Sequence, residues 1–154
     1  MDLDTLKDLA TLIGGIVLLL TFVKGTIEYI RQGTQKRVEL FLRLDKNFRD
    51  NLQFQKIRHL ITENNPKVVE QSKKIRSDYA GFFELIALMT NTGLIKKEVS
   101  CYMFSSDAIL CWENQYFWQD FDKSDKYWGM LKVYVKEMKE LRPKLKMTQK
   151  KYSL

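Results

Sequence analysis

Few residues of this chain are of a type and spacing that could do chemistry. The single histidine, His59, stands beside Arg58 and near Glu63, with no nucleophile or second ligand at a spacing that would recruit it. Cys101 and Cys111 are ten residues apart, with no further Cys or His pair to complete a zinc site. A disulfide between them is disfavoured in a reducing compartment, so they read as small buried apolar residues. Asp120, Asp122 and Asp125 resemble part of a calcium loop. Its sixth position, however, falls on Asp125 where glycine is required, and its twelfth on Leu131 instead of Glu, so helix capping accounts for them better. There is no serine elbow, no HExxH and no Cys/His arrangement. The only glycine pair, Gly14 and Gly15, lies inside an apolar run and cannot cradle a phosphate. The sequence predicts no enzyme, no metal site and no cofactor.

The more telling constellation is a line of small and polar residues. At about 100° per residue, positions eighteen apart share an azimuth, which puts Ala10 in line with Glu28. Gly14, Thr21, Lys24 and Gly25 fall near the same line, broken mainly by Val17. Small residues four apart let helices approach closely in lipid, and ionisable residues at membrane depth face a bundle interior or water. Ala10, Gly14, Thr21, Lys24, Gly25 and Glu28 are therefore a candidate stripe for helix packing or for lining an aqueous path in a homo-oligomer. A single anchor with its charges in the headgroups is the plainer alternative.

The element that must carry this stripe is Leu9–Val23, fifteen residues without a charge. They cover about 22 Å of a hydrocarbon core roughly 30 Å thick, so the run alone is short. Extension to Ile30 includes Lys24, which can snorkel, and Glu28 one turn on, where the two could neutralise each other. Leu9 to about Ile30 is thus expected to be one membrane-spanning helix. Asp2, Asp4 and Asp8 precede it, while Lys24, Arg31, Lys36 and Arg37 follow it. By the positive-inside rule the N-terminus lies outside and the rest of the chain is cytosolic. A secretory signal would need a basic start and a cleavage site, and a buried helix of a soluble protein remains the other reading.

Beyond Gly33 the pattern stays helical. Val38, Phe41, Leu42, Leu44, Phe48, Leu52, Ile57, Leu60 and Ile61 recur at three- and four-residue steps. The first helix is expected to continue as one long or gently broken rod to Asn64–Asn65–Pro66. A second helix is expected from Val68 to Met89, stopped by Gly93 at C′. A third runs from Lys96 to Trp118, with a possible break at Ser105–Asp107. A fourth, capped by Asp122 or Ser124 and closed by Pro143, carries Trp128, Leu131, Val135, Met138 and Leu141. No sustained alternation argues for a sheet. The fold class is all-α: a transmembrane helix (1–33), a cytosolic helical bundle (34–142) and a basic tail (143–154).

The 154 residues carry a net charge of +7, part of it in that tail. Lys144, Lys146, Lys150 and Lys151 could contact anionic lipid or RNA, although a solvated end explains them too.

Several segments resemble a known family. FFE at Phe82–Glu84, the turn before Gly93, IKKEV at Ile95–Val99 and the pair Trp112–Glu113, together with IEYIRQGTQKRVELFL at Ile27–Leu42, resemble small bacterial membrane proteins that include the Csx-type accessory proteins of type VI-B CRISPR systems. The likeness reaches from the first helix to about Trp128. It implies a HEPN-like helical domain in the cytosol and an inner-membrane location. It further implies assembly of protomers into a pore that depolarises the membrane in antiviral defence, beside an RNA-guided ribonuclease. A HEPN nuclease needs an arginine with four to six residues between it and a histidine. Before His59 those positions hold Leu52, Gln53 and Phe54, and Arg49 is too far back. The pore reading therefore stands over ribonuclease activity. A membrane-anchored helical module that binds RNA or a protein partner is the alternative.

Overall fold

The computed structural model describes residues 3–152, with side chains described at Ile13, at 17–124 and at 126–145. Every described element is helical: α1 (Leu3–Asp50), α2 (Leu52–Thr62), a 3-10 turn (Pro66–Glu70), α3 (Lys73–Asn91), α4 (Lys97–Glu113) and α5 (Asp125–Tyr152). The chain divides into two units, Met1–Leu42 and Arg43–Leu154.

In the first unit α1 passes Gly33 without a break, as the absence of proline predicts. Its continuation departs from the expected rod. Asn51 leaves the helix at φ −76°, ψ 101°, and its side-chain oxygen accepts from the backbone N–H groups of Gln53 and Phe54. An asparagine that satisfies two orphan donors is a strong helix start, so it ends α1 and begins α2 in one residue. The second expected helix also starts later. Pro66 opens only the 3-10 turn, and Ser72 caps α3 by accepting from Ile75 N–H (3.3 Å). At the other end of α3, Gly93 takes φ 75° in the C′ role foreseen for it.

α4 runs unbroken through Ser105–Asp107, because the Ser105 hydroxyl turns back to the Cys101 carbonyl. It stops at Glu113, earlier than expected. Phe117 and Trp118 lie beyond it, in a loop that Asn114 opens by accepting from Phe117 N–H (2.8 Å). α5 starts at Asp125, directly after Ser124, which holds the expected N-cap position and accepts at its carbonyl from Tyr127 and Trp128 N–H, but its end differs from the expected one. Asp122 accepts from Ser124 N–H, but the Ser124 hydroxyl is buried without a hydrogen-bond partner. Trp128 leaves helical geometry at φ −131°. The turn after that kink is capped from another helix: Glu84 of α3 accepts from the N–H groups of Met130 (3.1 Å) and Leu131 (2.6 Å). Pro143 does not close α5, which continues to Tyr152 and forgoes only the hydrogen bond that the proline nitrogen cannot donate.

Aromatic rings fill the core of the second unit. Phe48 at the end of α1 meets Phe82 (4.7 Å), Phe83 (5.6 Å), Tyr79 (5.8 Å) and Phe54 (5.9 Å). Tyr79 leads on to Phe117, and Phe117 to Trp118 (5.1 Å). The loop between α4 and α5 is clasped by Arg76, which is only 2% exposed. Its Nη1 donates to the carbonyls of Phe117 (2.8 Å) and Gln119 (3.0 Å), and its Nε to Gln71 (3.1 Å). Its guanidinium also lies 4.9 Å from the Phe121 ring centre. Burial lowers the Arg76 pKa, and the charge of Asp120 opposes that shift.

Arg76→Met is expected to lower stability by about 3 kcal/mol, because it strands three buried or half-buried carbonyls. Glu84→Gln, which keeps one acceptor oxygen, should cost about 1 kcal/mol. Urea unfolding measures both. A loss for Arg76→Met no larger than that for Glu84→Gln would mean that the loop is held by packing alone.

Candidate functional site

Each side chain from 17 to 40 on α1 is exposed. The apolar ones are far from covered: Val17, Leu18, Leu19, Leu20, Phe22, Val23, Ile27 and Ile30 all show more than half of their surface, up to 74% at Phe22. An isolated exposed leucine is ordinary in a soluble protein, whereas a continuous run is a surface that needs a partner. Among the described residues no helix is long and apolar enough to cross a membrane. Within the run Leu9–Val23, the side chains at 9–12 and 14–16 lie outside those described.

Of the predicted stripe, the side chains at Ala10 and Gly14 lie outside the described residues. Thr21, Lys24, Gly25 and Glu28 stand on one continuous helix, all exposed. The Thr21 hydroxyl donates to the Val17 carbonyl (2.8 Å) and the Thr26 hydroxyl to Phe22 (2.9 Å). Both hydroxyls are thus satisfied inside the helix, the form in which Thr is tolerated away from water. Glu28 is engaged by Arg31 (3.9 Å) and by Gln32, whose amide donates to it (3.3 Å). The expected pairing with Lys24 is replaced by these partners, one turn further from the apolar run. A Cβ added at Gly25 would meet nothing within 4 Å, so the face is open to a neighbouring helix.

The remaining predicted residues separate. His59 lies on the surface, 3.5 Å from Glu63, with its side chain 70% exposed. Lys144 is exposed on α5, whereas the side chains of Lys146, Lys150 and Lys151 lie outside the described residues. Cys101 and Cys111 are free and buried, and burial pushes the Cys111 thiol well up. Among the described residues no acidic, His or Cys cluster could hold a metal ion.

The resemblance motifs turn out to do structural work. Glu84 of FFE caps α5. In IKKEV, Ile95 is buried and Lys97 pairs with Glu137 of α5 (2.9 Å). Glu113, next to Trp112, pairs with Lys139. Buried hydroxyls join the same helices: Thr90 Oγ1 donates to Ser100 Oγ (2.9 Å), which lies 2.7 Å from the Tyr134 hydroxyl. Burial raises the Tyr134 pKa, so its hydroxyl stays protonated in this network.

One group escaped the reading of the sequence. Lys132, Lys136 and Lys139 of α5 border a groove of about 490 Å³ beside Trp112. Their spacing of four and then three residues places them on one helix face, a signal present in the sequence but overshadowed by the denser lysines of the tail.

Comparison with known proteins gives no match to a family model, to a curated protein or to a solved structure.

Because thiolate formation and access both control cysteine reactivity, neither Cys101 nor Cys111 should react with a thiol-specific chromogenic disulfide in the folded protein. Both should react once the protein is unfolded in guanidinium. Rapid modification of one thiol under native conditions would show that the bundle opens around α4.

Proposed function

We propose that this chain is a membrane-anchored helical protein that works as a homo-oligomer, with α1 from Leu9 to about Ile30 in the bilayer. The observation that carries the reading is the uncovered apolar surface from Val17 to Ile30. Eight such side chains, at about 1.5–3 kcal/mol each when removed from water, represent on the order of 10–20 kcal/mol that is not realised within the chain. Lipid supplies that burial. Tyr29 and Arg31 stand where an aromatic and a basic residue anchor the cytosolic interface, and the internally bonded Thr21 and Thr26 fit a lipid environment.

Activity as a pore, or as a membrane-perturbing accessory factor of a type VI-B CRISPR system, is the fuller form of the proposal. It draws on the open small-residue face around Gly25, on the charges of Lys24 and Glu28 at one end of the stripe, and on the resemblance of the Phe82–Asn114 segment. In that form the domain in the cytosol is HEPN-like and works beside an RNA-guided ribonuclease at the bacterial inner membrane. The second reading, an anchored binding module without a pore, is favoured by the lysine-bordered groove on α5.

Liposomes loaded with a self-quenching dye separate these readings. The full chain is expected to stay with the vesicles through an alkaline carbonate wash and to release dye. Lys24→Gln and Glu28→Gln should each change the rate of release. Retention without release leaves the anchored module, and recovery of the chain in the carbonate supernatant removes the membrane reading altogether.

A further inference from the structure

We infer that the outward face of α4 binds the same face of a second copy of this chain, the two helices running antiparallel with Ser106 at the two-fold axis. Apolar and polar residues are hardly segregated around α4, whereas a helix on the surface of a globular protein sets its charges outward. From Val99 to Trp112 its one charged residue is Asp107, which is buried and paired with Arg58 (2.9 Å). The face turned to solvent carries Val99, Tyr102, Ser106 and Leu110, at steps of three and four residues, before it reaches Glu113. Tyr102 is 72% exposed, Val99 40% and Leu110 39%. The outward side of α5 is built in the ordinary way, with Lys136, Lys139 and Glu140 exposed. The charge-free outer face therefore sets α4 apart from its neighbour.

A second copy fits this face because the face complements itself. Tyr102 and Leu110 stand four residues to either side of Ser106. A two-fold axis through Ser106 sets Tyr102 on Leu110 of the second copy and Leu110 on its Tyr102, the reciprocity that an isologous contact requires. The small side chain at the crossing lets the helices approach, and each ring meets a smaller aliphatic chain. The antiparallel sense also brings the exposed Lys96 toward Glu113 of the second copy, and each helix N-terminus beside a C-terminus. A parallel pair would set Tyr102 on Tyr102 and leave a gap at Ser106. An anionic bilayer surface is disfavoured by Glu98 and Glu113 at the two ends of the face. The exposed apolar area is on the order of 300–400 Å² per copy, below the roughly 800 Å² of a standard interface. The contact thus closes between copies already held together, where the effective concentration is high. The inference rests on the homo-oligomer reading and gives that oligomer a contact in the second unit that α1 does not supply.

Cysteine cross-linking of the full chain in detergent micelles tests it, since Cys101 and Cys111 are buried. Mild oxidation with copper phenanthroline should turn Ser106→Cys into a covalent dimer. Tyr102→Cys alone should stay monomeric, because its two copies lie about 12 Å apart along an antiparallel pair, beyond the roughly 7 Å that a disulfide spans. Tyr102→Cys mixed with Leu110→Cys should give the mixed dimer. Tyr102→Glu added to Ser106→Cys should lower the yield about tenfold or more, because it buries an unpaired carboxylate, and should leave helicity unchanged. Gly25→Cys reports on α1 separately. A link at 25 without one at 106 overturns the inference and leaves the oligomer, whereas links at neither position overturn both. Self-linking of Tyr102→Cys as strong as that of Ser106→Cys, or a link at 106 that survives Tyr102→Glu, also overturns the inference.

Discussion

The second unit depends on one buried cation. Among the described residues, Arg76 is held by three backbone carbonyls and the ring of Phe121. A guanidinium presents its donors in a rigid fork, which is why it can bind the carbonyls of residues 117 and 119 at once where a lysine could not. Those carbonyls belong to the loop that places Phe117 against Tyr79 and brings Trp118 to Trp112 and Trp128. The left-handed backbone of Asp120 (φ 65°) lies in the same turn. From this fixed loop α5 departs through the kink at Trp128, and Glu84 caps it beyond that kink. Two charged residues of α3, Arg76 and Glu84, thus settle where the last helix begins. Its start in turn positions the lysine face.

The two units solve the burial problem differently. In the second, rings and aliphatic side chains from the end of α1 and from α2 to α5 enclose one another, and polar groups such as Thr90, Ser100 and Tyr134 are paired inside. In the first, the apolar side chains Val17, Leu18, Leu19, Leu20, Phe22, Val23, Ile27 and Ile30 each show more than half of their surface. Hydrophobic burial is the dominant favourable term in folding and association, so a chain that completes one core and leaves another apolar surface bare directs that surface outward. Lipid and a second copy of α1 are both compatible with the small and polar line through Thr21 and Gly25.

The all-helical class was legible from apolar residues at three- and four-residue steps, and Gly93 was legible as a helix stop because its position requires a positive φ. The burial of both cysteines followed from their lack of partners. Other features were not legible because they depend on tertiary contacts. Nothing local marks Glu84 as the cap of a helix more than forty residues away, and Arg76 resembles any helix-surface arginine until its carbonyl partners are in place. The break at Asn51 was missed for a different reason: apolar periodicity runs straight across it, and the capping asparagine was the only signal. Pro143 misled in the opposite sense, since a proline can lie within a helix when the one missing donor is tolerated. The stripe on the first helix was readable as a spacing, but the pairing of Glu28 with Arg31 and Gln32 was a choice among neighbours that spacing alone does not make.

Nitroxide accessibility along α1 tests the central claim most directly. Single substitutions such as Leu19→Cys, Phe22→Cys and Gly25→Cys can be labelled in the native protein, because Cys101 and Cys111 are buried. In vesicles containing the full chain, lipid burial predicts that labels at positions 19 and 22 collide freely with oxygen and little with a polar nickel chelate. The label at 25 should broaden through contact with a second copy. Free collision with the nickel chelate at all three positions, without broadening at 25, would contradict a helix buried in lipid and paired with its own copy.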